Sequence, residues 1–212
     1  MMILSYIELM YNIIGFYIIL RRYIIVVIIY MIDIFYVVIA SIAFVEYSYL
    51  FYNQIAIQLW RIVMKVCLVG SSGGHLTHLY MMKPFWSEKD RFWVTFDKED
   101  ARSLLKDEKV YPCYYPTNRS IKALVKNTKI AWKVLRKEKP DLIISSGAAV
   151  AVPFFYLGKL FGAKLVYVEV FDRIDKPTVT GKMVYPIADK FIVQWEEQKK
   201  VYKKAICLGS IF

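Results

Sequence analysis

The residues Gly70-Ser71-Ser72-Gly73-Gly74-His75 follow a short apolar run and open a helical stretch. Glycines let a backbone approach a ligand closely, and a helix N-terminus offers free N–H groups and a positive dipole end. The combination suits a diphosphate. No Lys-Ser/Thr follows as in a Walker loop, and the glycine spacing is not that of the dinucleotide motif. The competing reading is a plain tight turn. His75 is the only titratable side chain in this loop, and an imidazole titrates near neutral pH, as a general base should. His78 lies three residues on and reads as a packing or surface residue. Two histidines without a third nearby ligand do not make a zinc site, so no metal is expected.

Further along, Asn118-Arg119-Ser120 precedes a helix. Asn118 or Ser120 suits a helix cap, whereas Arg119 suits a phosphate. Ser145-Ser146-Gly147-Ala148-Ala149 is a second strand-to-helix turn of small residues, read either as an anion seat at Ser146 and Gly147 or as close helix–sheet packing. Glu169 ends a buried apolar run, where a carboxylate needs a partner. Arg173 and Lys182 are the expected partners, and Glu169 is the second candidate base. Asp172, Arg173 and Asp175 precede Thr180-Gly181-Lys182. No Asp-x-Asp occurs, so the metal–nucleotide clamp of metal-dependent sugar transferases is missing, and no cofactor is expected. Gln194-Trp195 follows another apolar run, and its Trp either marks a partner surface or closes the core edge.

These residues need a scaffold. Strands are expected over 65–69, 92–96, 110–115, 142–145, 165–170, 190–193 and 205–208. Helices are expected from the glycine loop to 82 and over 97–105, 121–139, 150–161 and 180–187. Over 121–139, Ile121, Leu124, Val125, Ile130, Val134 and Leu135 recur with helical spacing and form the expected buried face. Continuous apolar strands alternating with helices mean an α/β fold with a parallel sheet covered on both faces. Ligands on such sheets bind at the carboxyl ends of the strands.

The chain has 212 residues, 58% of them hydrophobic, and a formal net charge of +11. Residues 1–63 hold only Glu8, Arg21, Arg22, Asp33, Glu46 and Arg61, three acidic and three basic, so the whole +11 belongs to residues 64–212. An apolar helical leader, 1–63, therefore precedes a basic domain, 64–212. The stretch 23–45 is long enough to cross a bilayer, which takes roughly 20 residues. Residues 1–20 read as a second span or an interfacial helix, with Arg21-Arg22 between them. A cleavable signal peptide does not fit, because the basic pair follows the apolar stretch. Met64 begins a natural first strand, so a dispensable extension of the reading frame is the alternative for 1–63. The cysteines, Cys67, Cys113 and Cys207, suggest no disulfide framework and fit a reducing compartment. Charge alone is the argument for nucleic acid, and no nucleic-acid module is present.

The domain resembles the membrane-anchoring subunit of the two-chain N-acetylglucosaminyltransferase that extends dolichol-diphosphate-N-acetylglucosamine, and its bacterial relatives in capsule and exopolysaccharide synthesis. The matching pieces are Gly70–His75, Asn118-Arg119-Ser120, Ser146-Gly147-Ala148 with Pro153, Tyr167-Val168-Glu169, Arg173, Thr180-Gly181-Lys182, Tyr185-Pro186-Ile187-Ala188-Asp189 and Phe191–Trp195. The resemblance implies the N-terminal, acceptor-binding half of a GT-B glycosyltransferase with a Rossmann-like sheet. It implies a small soluble partner that brings the UDP-sugar, a polyprenyl-diphosphate-sugar acceptor, and a domain on the cytoplasmic side of the cell membrane. The glycine loop is similar to that of the transferase that makes lipid II, where it faces the acceptor diphosphate. The sequence ends just after a strand, where a one-chain enzyme would continue into its donor half, so that half is expected on another chain. The competing reading is a non-catalytic recruiter of a complete transferase.

Overall fold

The computed structural model describes residues 2–117 and 120–210. The chain forms two compact units, Met1–Gln58 and Leu59–Phe212.

The first lies within helix α1 (Met2–Val63), whose last turn belongs to the second, and the helix runs unbroken through Arg21-Arg22 instead of dividing there. Residues 1–63 contain no proline and a single glycine, Gly15, so nothing in the chain interrupts the backbone hydrogen bonds. The stretch Leu20–Ala56 has a mean hydropathy of 2.7 and none of it is buried. At 37 residues it exceeds what a bilayer requires.

The second unit is an α/β sandwich. Its elements are β1 (Val66–Val69), α2 (Gly74–Met81), α3 (Lys83–Trp86), β2 (Arg91–Phe96), α4 (Glu99–Leu104), β3 (Val110–Cys113), α5 (Ile121–Glu138), β4 (Leu142–Ser145), α6 (Ala151–Leu160), β5 (Lys164–Val168), α7 (Val179–Val184), β6 (Lys190–Val193), a 3-10 turn at Glu196–Lys200, and β7 (Ile206–Cys207). The sheet order is β3-β2-β1-β4-β5-β6-β7, and every pairing is parallel. Pro112 is accommodated because β3 is an edge strand, where a missing N–H costs no ladder bond.

Strand periodicity divides the core in two. On one face Val66, Leu68 and Trp93 pack with Leu76, Leu79, Trp86 and Leu105. On the other, Cys67, Val69, Phe92 and Val94 pack with Leu135, Phe154, Phe155 and Val184. Helices therefore cover both faces, as the continuous apolar strands require.

Helix α5 departs from the expected face. Its buried residues are Ala123, Asn127, Ala131, Val134, Leu135 and Glu138, whereas Ile121, Leu124 and Val125 are exposed. The side chain of Asn127 decides this rotation. It accepts from the backbone N–H of Tyr114 at 2.9 Å and donates to the Tyr114 carbonyl at 3.0 Å, tying the post-β3 loop to the helix. Satisfying a buried peptide group outweighs one more half-exposed aliphatic. At the far end of the helix Glu138 is buried against Lys65 and Lys109, each at 2.8 Å, and the Tyr111 hydroxyl. These donors offset the burial and hold its carboxyl down to about 2.

Candidate functional site

The chain leaves β1 toward β2 and β3 on one side, and returns as β4 on the other. The crevice between the carboxyl ends of β1 and β4 is thus a topological switch point, where open α/β sheets bind ligands. The glycine loop follows β1, and the Ser146-Gly147 turn follows β4. The two loops clasp each other. His75 Nδ1 donates to the Ser146 carbonyl at 2.9 Å, and Ser146 Oγ donates to the His75 carbonyl at 2.8 Å. A carbonyl only accepts, so the Nδ1 proton is fixed and the neutral ring carries its lone pair on Nε2. Burial lowers the His75 pKa below its ordinary 6.5, opposed by the Ser146 carbonyl bond and by the charges of Asp172 and Glu169.

Gly147 serves this clasp. Its φ is +129°, and a Cβ there would lie 2.6 Å from His75 Cε1 and 3.1 Å from the Tyr167 hydroxyl. Ser145 Oγ accepts from the Gly147 N–H at 3.0 Å and pins the turn. Ser146 and Gly147 thus form the seat of the imidazole, with Ser146 itself buried.

His75 separates two clefts. One, of about 330 Å³, is lined by Gly74, His75, His78, Val170, Phe171 and Asp172. The other, of about 370 Å³, includes Ser71, Ser72, His75, Lys98, Tyr115 and Thr117. Gly70, at the base of the loop, donates its N–H to the Val94 carbonyl and sits within the fold. The N–H of Gly73 is also engaged, donating to Asp100 Oδ2 at 2.6 Å. Sequence reasoning missed Asp100, which carries no motif and lies in α4. His78 is buried, with its Nε2 3.1 Å from Gln194 Nε2, so it packs in the interior.

Glu169 requires a correction. It is fully buried one residue past β5, and neither Arg173 nor Lys182 pairs with it. Its carboxylate accepts from the Val170 N–H at 3.1 Å, Thr178 Oγ1 at 3.0 Å and the Tyr202 hydroxyl at 2.8 Å. The group is therefore a knot that closes the loop 170–178, and it lines neither cleft. Gly181 is the gap that admits this knot, because a Cβ would come within 2.5 Å of both Glu169 Oε2 and the Tyr202 hydroxyl. Trp195 holds the same loop from outside, donating its indole N–H to the Phe171 carbonyl at 2.8 Å.

The remaining candidates scatter. Ser120 caps α5, accepting from the Ala123 N–H at 3.2 Å. Thr180 and Gly181 are buried in α7, while Lys182 is exposed on it. Arg173 is exposed beside Asp172 at 3.9 Å. Asn118 and Arg119 lie outside the described residues. Among the described residues no group of His, Cys, Asp and Glu side chains has the arrangement of a metal site. The three cysteines are free, and Cys207 is only half-buried because β7 is a two-residue edge strand.

The family model of the "Oligosaccharide biosynthesis protein Alg14 like" proteins matches residues 66–211. The chain belongs to this family. The human UDP-N-acetylglucosamine transferase subunit ALG14 is 25% identical over 179 residues, covering 70% of this chain and 83% of that protein. The Schizosaccharomyces pombe subunit is 36% identical over 77 residues, covering 34% of this chain and 37% of that protein. Both relatives are eukaryotic. Among solved structures, Acinetobacter baumannii MurG matches with a TM-score of 0.54 at 17% identity over 63% of this chain and 42% of that one. A UDP-N-acetylglucosamine 2-epimerase from Rickettsia bellii matches with 0.57 at 16% identity, over 70% of this chain and 45% of that one. These likenesses show the fold, that of one half of a GT-B enzyme. The chain spans less than half the length of either structure.

Proposed function

We propose that this Alg14-family chain is the acceptor-binding and membrane-anchoring subunit of a two-chain UDP-sugar glycosyltransferase. It extends a polyprenyl-diphosphate-linked sugar at the cytoplasmic membrane face, with His75 as general base. The observation that carries the reading is the fixed tautomer of His75. Its Nδ1–H is held by the Ser146 carbonyl, and burial keeps the ring neutral, so Nε2 is an acceptor at the switch point of a GT-B half. In the reaction the acceptor hydroxyl loses its proton to Nε2 and attacks the anomeric carbon of the UDP-sugar, and UDP leaves on the partner. The named relatives are transferase subunits, which supports a second chain carrying the donor. The apolar stretch Leu20–Ala56 supports the anchor. Glu169 acts through the loop 170–178 as a positioning residue.

The finer reading places the product in capsule or exopolysaccharide synthesis and rests on the sequence resemblance. Assaying undecaprenyl- against dolichyl-diphosphate acceptors separates it from the oligosaccharide route of the relatives. The central test reconstitutes the chain with the product of the adjacent reading frame and measures sugar transfer. Transfer is expected from the pair and not from the chain alone. His75→Ala should lower turnover by about 10²–10⁴-fold, the typical contribution of a general base, while partner binding persists. A His75→Ala pair with wild-type turnover would move the chemistry off this chain and make it a recruiter.

A further inference from the structure

Helix α2 carries two imidazoles on one face. His75 and His78 are three residues apart, and both line the cleft of Gly74, Val170, Phe171 and Asp172. They are the two histidines of the chain. His78 is buried, and it meets the equally buried Gln194 one residue past β6. Gln194 Nε2 lies 2.9 Å from the Glu169 carbonyl and 3.1 Å from His78 Nε2. A carbonyl only accepts, so the amide must turn its nitrogen, and not its oxygen, to Glu169. One amide proton goes to that carbonyl and the other is directed at His78 Nε2. That ring nitrogen therefore accepts, and the ring proton of His78 is on Nδ1.

Adding a proton at Nε2 would set N–H against N–H in a buried site. The bond that fixes the tautomer thus also keeps the ring uncharged. Burial lowers the His78 pKa, the charge that His75 takes on lowers it further, and Asp172 opposes both. Asp172 has Arg173 3.9 Å away, and the Glu169 carboxylate is engaged by Val170, Thr178 and Tyr202, so both carboxylates of this region are shared with other partners.

We propose, on the reading of His75 as general base, that Gln194 is a positioning residue for the transfer step: its amide holds His78 as the neutral Nδ1–H tautomer, so that His75 takes the acceptor's proton without facing a second imidazolium one turn along the helix. Side chains three apart on a helix lie about 5–6 Å from one another at Cβ. At that separation near a protein surface, a charged His78 would reduce the proton affinity of His75 by roughly 100-fold. A base weakened in this way takes a proton less readily in the transition state. Gln194 lines neither cleft, so its effect on the reaction passes through His78.

The test is NMR of the full-length chain in neutral detergent micelles, with its two histidines nitrogen-15 labelled and assigned through His75→Ala. Long-range proton–nitrogen correlations report which ring nitrogen is protonated at each pH. In the wild-type chain His78 should show a protonated Nδ1 and a bare Nε2, and should stay neutral at the pH where His75 becomes charged. A proton on Nε2 of the neutral ring, or His78 charging before His75, would overturn the inference without any Gln194 variant. Gln194→Glu turns the donor facing Nε2 into an acceptor of similar size. The proton affinity of His78 should then rise by at least about tenfold, so that it charges before His75. His75 is nearer to the new imidazolium than to the introduced carboxylate beyond it. It should therefore charge at lower pH, and the acid limb of the pH–rate profile of the reconstituted pair should shift with it. An unmoved His78 midpoint in a folded Gln194→Glu chain would overturn the role of the amide. A raised His78 midpoint with an unmoved acid limb would overturn its link to transfer. Wild-type turnover by His75→Ala would overturn the general-base reading and this inference with it, whereas failure of the His78 observations alone leaves that reading standing.

Discussion

Replacing Gly147 by alanine should disable the site by displacing the His75 imidazole, although Gly147 itself lines neither cleft. The new Cβ would lie 2.6 Å from His75 Cε1, 3.0 Å from Nδ1 and 3.1 Å from the Tyr167 hydroxyl. Tyr167 does not move aside, because it is fully buried and stacked on Phe191 at 4.9 Å. The imidazole has to move, and its 2.9 Å bond to the Ser146 carbonyl breaks. An L-residue at φ +129° adds strain of about 1–3 kcal/mol. The lost hydrogen bond adds about 0.5–1.5 kcal/mol. Their sum, roughly 1.5–4.5 kcal/mol, corresponds to a melting shift of about 3–18 °C for a domain of this size. Turnover should fall by about 10²-fold or more, since a base misplaced by about 1 Å loses that much. The assay is the initial rate of the reconstituted pair below the variant's melting temperature, with His75 titrated by NMR in parallel. Restoration of the ordinary His75 pKa is expected as the ring is expelled toward water. A rate within about threefold of wild type would refute the account of Gly147 as the seat of a catalytic imidazole.

The pH–rate profile should show an acid limb with a midpoint below 6.5, because burial depresses the His75 pKa and the neutral ring is the active form. Folding stability should move the same way. The unfolded chain binds the proton first, so stability is complete above about 6.5 and falls as the pH drops toward the lower folded value. A limb centred above 6.5 would exclude His75 as the base. Tyr202→Phe removes one donor from the buried Glu169 carboxylate and should cost about 1.5–3 kcal/mol, read as a lowered melting temperature. An unchanged melt would mean that the Glu169 knot contributes nothing to closing the loop 170–178. Removing residues 1–63 should leave a folded domain with unchanged near-ultraviolet dichroism that no longer sediments with membranes. Continued sedimentation without the partner would identify another anchor.

The architecture was written in local pattern. Apolar runs such as Val66–Val69 and Leu142–Ser145 are too short for helices and are bounded by Gly70, Pro140 and small residues, so strands and switch-point loops follow from periodicity and breakers. The chain's two-part character follows from charge, since the leader sums to zero and the whole +11 lies in residues 64–212. The face of α5 was not legible, because it depends on Asn127 finding the Tyr114 peptide across a loop. Nor did the sequence tell that Glu169 would be tied by Tyr202, 33 residues away, or Gly73 by Asp100, 27 residues away. The loop composition marks Gly70–His75 and Ser146–Gly147 as two separate turns. Only the placement of β4 beside β1 joins them, setting the Ser146 carbonyl against His75 Nδ1 and so fixing which nitrogen carries the proton. A residue's type is a local property that sequence states outright. Which atoms neutralise it when water is excluded depends on contacts between distant segments, and those exist only once the sheet has formed.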